Sequence, residues 1–256
     1  MAFAMRTKLI IGNWKMYGGL DQNALLLNAV RAGFARASAV GCAVCVPFPY
    51  LAQARSLLEG GPVAWGAQNL SPHAGGAYSG EVSAAMLTDF GCTFVIVGHS
   101  ERRTLFGEDD AVVAAKFVAA EQAALTPILC VGESLAERDA GITERIVSRQ
   151  LDAVIAVAGV EALRRGVIAY EPVWAIGTGK NATPEQVQAV HDYVRRQVAE
   201  RDAGVAQELR ILYGGSVKAV NAAKLLTLPD VDGALVGGAS LIAQDFLAIC
   251  GAAAHF

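Results

Sequence analysis

Glu171 closes the apolar run Val167–Tyr170 and is followed at once by Pro172. A carboxylate delivered by a strand into a closed, dry site favours its protonated form more than it does in water, which makes it a better base. A lone Glu in that position is more commonly a solvated loop acid, so its neighbours decide. His99 follows Gly98 at the end of the run Phe94–Val97, and Ser100-Glu101-Arg102-Arg103 reads as a first helical turn. The positive end of a helix favours neutral imidazole, which can still donate a hydrogen bond to a carbonyl oxygen. Asn13 and Lys15 alternate after the run Leu9–Ile11, so both face the same way if the chain stays extended. An inward Lys15 would supply a cation for an anionic substrate, although most lysines are simply solvated. Gly214-Gly215-Ser216 and Gly237-Gly238 each follow an apolar run. Glycines let backbone N–H groups approach an anion closely, and the helix that follows adds favourable partial charge.

The elements that carry these residues form a regular series. Candidate strands fall at 8–11, 43–46, 63–67, 94–97, 127–131, 167–170, 210–213 and 234–236, with helical periodicity between them. Over 143–157, Ile146, Val147, Leu151, Val154 and Ile155 share one stripe. Over 183–201, Thr183, Pro184 and Gln186 form an N-cap, a first-turn proline and a capping box. A short helix is expected near 83–89. Eight strand-then-helix units require parallel strands and right-handed crossovers. The α/β architectures left are an open doubly wound sheet and a closed (β/α)8 barrel. The count of eight over 256 residues favours a single-domain parallel eight-stranded barrel covering 1–256. So does the convergence of Asn13, Lys15, Gln68, Asn69, His99, Glu133, Glu171 and the glycine pairs, since a barrel gathers all strand ends at one mouth. The connection 172–182, PVWAIGTGKNA, exceeds the ~2–6 residues usual for a β/α loop and suits a lid over the site, with Trp174 exposed. Its GTGK fails as a nucleotide loop, because Trp174 and Asn181 stand where Gly and Ser or Thr are needed.

Composition removes several classes. The formal net charge is −3 with no basic stripe, which argues against nucleic acid. No apolar run nears the ~18 residues of a membrane span, and the start of the chain lacks a signal-peptide core. Residues 1–6 read as a short extension, and a soluble cytoplasmic protein is the default expectation. Five cysteines without a leader read as reduced thiols. Cys42 and Cys45 form a CxxC inside the strand-like CAVCV, where positions three apart point to opposite faces, so a structural role is expected. The four histidines show no metal-ligand spacing, and no metal is expected.

Five motifs together resemble one family. GNWKM at 12–16, VGHSERR at 97–103, AYEPVWAIGTGK at 169–180, YGGSV at 213–217 and VGGASL at 236–241 look like those of triosephosphate isomerase, in that family's order and spacing. The resemblance implies a TIM barrel that interconverts dihydroxyacetone phosphate and D-glyceraldehyde 3-phosphate in glycolysis and gluconeogenesis. It implies no cofactor, because no electrons leave the substrate. Carried over, it puts the base on Glu171, the electrophile on His99 and the lysine on Lys15 beside Asn13. Phosphate contacts fall on Gly177, Ser216, Gly237 and Gly238, and Glu101 is a mainly structural carboxylate. It implies a cytoplasmic homodimer joined through loop 69–80. Ser79, Asn181 and Tyr17 depart from the commoner Thr, Thr and Asn. A Schiff-base aldolase with Lys15 as nucleophile, and a phosphosugar-binding barrel without turnover, are the competing readings.

Overall fold

A computed structural model describes residues 6–34, 40–176 and 181–254. Eight strands form a closed barrel in chain order. They are β1 (Leu9–Asn13), β2 (Gly41–Val46), β3 (Ala64–Ala67), β4 (Phe94–Val97), β5 (Thr126–Val131), β6 (Val167–Tyr170), β7 (Arg210–Tyr213) and β8 (Gly233–Val236). Every neighbouring pair is parallel, and β1 pairs with β8 from Leu9↔Gly233 to Gly12↔Val236, which removes both sheet edges. Strands 94–97, 167–170 and 210–213 have the bounds expected from sequence. The first runs two residues further, because Gly12 and Asn13 stay in register with Val44 and Cys45.

Side chains alternate across the barrel wall. Leu9, Ile11, Ala43, Cys45, Ile96, Ile128, Cys130, Val167, Ala169, Leu212 and Leu235 fill the interior. Their neighbours Ile10, Val44, Val97, Ile168, Ile211 and Val236 point outward into a larger cluster under the helices. The CxxC obeys this alternation: Cys45 is interior, and Cys42 faces outward with its Sγ 4.0 Å from that of Cys250.

The helices form for the expected reasons. Helix Thr143–Ala158 buries Ile146, Val147, Leu151 and Val154. Helix Pro184–Ala199 starts at a Thr183–Gln186 capping box and buries Val187, Val190, Val194 and Val198. Ser83 caps the short helix Ala84–Asp89. Arg6, read from sequence as part of an extension, is tied to the barrel: its Nε lies 2.7 Å from Asp232 Oδ1. Among the described residues, no helix is long and apolar enough to cross a membrane.

Candidate active site

The C-terminal ends of β1, β4, β6, β7 and β8 open onto a cavity of about 680 Å³. Asn13, Lys15, His99, Glu171, Ser216, Gly237 and Gly238 all line it. Seven of the eight site residues expected from sequence are therefore gathered at one mouth; the eighth, Gly177, lies outside the described residues.

Glu171 is 2% exposed and both of its oxygens are engaged. Oε1 lies 3.0 Å from His99 Nε2, and Oε2 accepts the Ser100 N–H at 2.9 Å. Burial alone would favour the protonated acid, as the sequence suggested. The charge and hydrogen bond of His99, the Ser100 N–H and the charge of Lys15 outweigh burial and hold the carboxyl below its ordinary range. The expected gain in basicity is thus absent while Glu171 sits on these donors. Gly214 makes the approach possible, since a Cβ there would lie 2.9 Å from Glu171 Cγ.

His99 is the N-cap of helix Ser100–Leu105, and its Nδ1 accepts the Glu101 N–H at 3.2 Å. Burial disfavours the imidazolium, yet the charge and hydrogen bond of Glu171, with the charge of Glu101, move the imidazole upward. The backbone N–H aimed at Nδ1 opposes a second proton on that nitrogen. The ring therefore presents Nε2–H to Glu171, with its tautomer fixed by hydrogen bonding. Gly98 sets the ring's approach with φ +68°, a conformation favoured by glycine.

Lys15 reaches the cavity by a different route from the extended one read from sequence. Its φ is +54°, because the Asn13 side chain folds back to accept the Lys15 N–H at 3.0 Å. Gln68 Nε2 holds the Lys15 carbonyl at 2.9 Å and the Cys45 carbonyl at 3.0 Å, bracing the turn. Lys15 Nζ pairs with Glu101 Oε1 at 2.5 Å. Glu101 thus ties the cation of one strand end to the helix carrying His99.

Trp174 is half-buried, where the sequence suggested exposure. Its Nε1 donates to Glu133 Oε1 at 2.9 Å, and Arg138 stacks on its ring at 4.9 Å. Glu133, fully buried, also accepts from Tyr170 Oη and from Arg138. Sequence reading placed Glu133 at a strand end but gave it no partner. It gave no role to Lys218, Asn221 or Asp245, although Lys218 and Asp245 line the cavity. Asn221 lies in a helix three residues after Lys218 and accepts its backbone N–H, the N3 half of a capping box with no Ser or Thr at the N-cap to signal it.

A carboxylate, an imidazole and an ammonium beside a glycine-lined cradle, at the C-terminal mouth of a closed barrel, define the class of acid–base (β/α)8 enzymes. The family profile described as triosephosphate isomerase matches residues 8–253. A triosephosphate isomerase of Thiobacillus denitrificans is 63% identical over 250 residues, covering 98% of this chain and 100% of that protein. Those of Nitrosomonas eutropha (59% over 248 residues, 97% and 98% covered) and Cupriavidus necator (61% over 245 residues, 96% and 99% covered) are similarly close. The chain belongs to the triosephosphate isomerase family. Among the described residues, no group of three or more His, Cys, Asp or Glu side chains could hold a metal ion.

Proposed function

We propose that this chain interconverts dihydroxyacetone phosphate and D-glyceraldehyde 3-phosphate through an enediolate, with Glu171 as the base. The observation that carries the assignment of roles is the 3.0 Å approach of Glu171 to His99, on a cavity wall shared with Lys15. Glu171 takes the proton from the carbon beside the carbonyl. To do so it must leave the Ser100 N–H and His99, and losing those donors raises its basicity as the substrate arrives. Lys15, held by the Asn13 turn, and the Nε2–H of His99 stabilise charge developing on the substrate oxygens, and His99 moves protons between them. Ser216, Gly237 and Gly238 cradle the phosphate with backbone and hydroxyl donors, and the family resemblance adds Gly177, which lies outside the described residues, to the phosphate contacts. The chemistry is proton transfer within one substrate, so no redox or group-carrying cofactor takes part.

The lid is the 172–182 connection, hinged at its ends, and it excludes water from the enediolate. Homodimerisation is the second part of the proposal. Residues 73–80 of loop 69–80 are all exposed, and a groove of about 580 Å³ beside the site carries Met16, Leu105 and Phe106 at 95%, 72% and 67% exposure. A second copy inserting its loop there would cover both surfaces. A cytoplasmic enzyme of glycolysis and gluconeogenesis fits this reading.

A coupled assay of the purified chain in both directions tests the function. Turnover of both triose phosphates without added cofactor is expected, and failure to convert either would refute the proposal. Borohydride with a ketose phosphate should leave Lys15 unmodified, since Lys15 is ion-paired rather than held in an apolar pocket as a free amine.

A further inference from the structure

The charged groups lining the cavity include one cation that the proposed mechanism does not use. Lys15 and Lys218 are the lysines among the described lining residues, and Glu171 and Asp245 are the acids. Lys15 is engaged by Glu101. Lys218 forms no ion pair among the described residues.

Its position is poorly suited to helix stability. Lys218 occupies the N-cap of helix Ala219–Leu226, with extended φ −134° and ψ 161°. N-caps favour Ser, Thr, Asp or Asn, whose oxygens accept the first free N–H groups. An ammonium can only donate, and the positive end of the helix repels it. The helix starts nonetheless because Asn221 substitutes for the cap. Its Oδ1 accepts the Lys218 N–H at 2.8 Å, and its Nδ2 donates to the Ser216 carbonyl at 3.0 Å. That two-ended clamp fixes the turn from Ser216 to Lys218 along the cavity wall. An exposed cation on the cavity wall, on a turn braced by a dedicated side chain, is placed to meet an anionic ligand.

We propose that Lys218 is a further recognition residue for the substrate phosphate: its ammonium draws the dianion toward Ser216 and Gly237–Gly238, and Asn221 is the positioning residue that holds the turn. In a chain of net charge −3, this capture depends on local cations. Asp245, which also lines the cavity, works against it. The inference rests on a triose phosphate being the substrate.

The test compares wild type, Lys218→Ser, Lys218→Arg, Asn221→Ala and Asp245→Asn. KM and kcat are measured from low to high salt, and inorganic phosphate binding is measured by calorimetry. Lys218→Ser should raise KM about fivefold with kcat nearly unchanged, and should flatten the fall of kcat/KM with salt. Its Tm should rise, because Ser suits the N-cap, and this rise separates recognition from a structural role. Lys218→Arg should restore KM, Asn221→Ala should raise it, and Asp245→Asn should lower it. Unchanged KM, salt slope and phosphate affinity in Lys218→Ser would overturn the proposal. If wild type converts neither triose phosphate, the isomerase reading fails; weaker phosphate binding by Lys218→Ser would then still support the assignment of Lys218, and equal binding would end it.

Discussion

Glu171, His99 and Lys15 meet because three strand ends point the same way, and each is held by a donor or acceptor the others do not use. Glu171 rests on Ser100, His99 on Glu101 N–H, and Lys15 on Asn13 and Glu101. If the neutral Nε2–H is what His99 contributes, His99→Asn should lower kcat by about 10²–10³. Stopped-flow assays at saturating substrate measure this, and a loss below tenfold would remove His99 from the mechanism. A second histidine is expected to make stability depend on pH. His191 is fully buried in helix Pro184–Ala199, with Nδ1 3.1 Å from the Asp230 carbonyl and, among the described residues, no hydrogen-bond partner for Nε2. Burial pushes it down to about 4, since a second ring proton would have nothing to bond. The folded state therefore binds fewer protons than the unfolded chain between pH 6.5 and about 4, and stability falls as pH drops through that window. His191→Gln should flatten the Tm-versus-pH curve there; an unchanged slope would assign the acid sensitivity to other groups. Glu171 and His99 were legible in sequence as polar residues just past apolar runs, and Lys15 as a cation shortly after another. The turn at Lys15 and the Trp174–Glu133 bond were not: the first needs the Asn13 side chain to fold back onto the Lys15 N–H and Gln68 to brace it, and the second needs a residue 41 positions away.

At the scale of elements, periodicity located all eight strands, and errors were confined to ends where pairing rather than hydrophobicity sets the limit. Gly12 carries no side chain to mark it as strand, yet it pairs on both sides. Gly98 joins β4 to the helix capped by His99, and its φ of +68° and a would-be Cβ 2.7 Å from Val113 Cγ1 leave no room for a side chain. Gly98→Ala should destabilise the fold by about 1–3 kcal/mol and lower kcat by displacing His99. Urea unfolding and kcat measured together check this, and a variant as stable and active as wild type would contradict it. The proposed lid makes a separate prediction. Shortening it between Ala175 and Lys180 should let water reach the enediolate and increase phosphate loss to methylglyoxal. Unchanged partitioning would mean that this connection does not protect the intermediate.

At the scale of the whole molecule, closure does what no single element can. An open sheet of the same eight strands would spread Asn13, His99, Glu171 and Gly237 along an edge, whereas the β1–β8 ladder brings them to one cavity. Sequence supplied the count of β/α units, and the convergence of polar strand ends distinguished barrel from open sheet. The groove beside the site was not legible, because Met16 follows β1 while Leu105 and Phe106 end the helix after β4, and they form one surface only after closure. Met16→Glu should shift the chain toward monomer by sedimentation at micromolar concentration, and a wild type already monomeric there would contradict the proposed interface.

The most direct test of Glu171 as the base is kcat for dihydroxyacetone phosphate in Glu171→Gln. The amide keeps the size of the side chain but cannot accept the substrate proton. A fall of about 10³ or more, with inorganic phosphate affinity retained, is the predicted result. Turnover within tenfold of wild type would show that another group removes the proton.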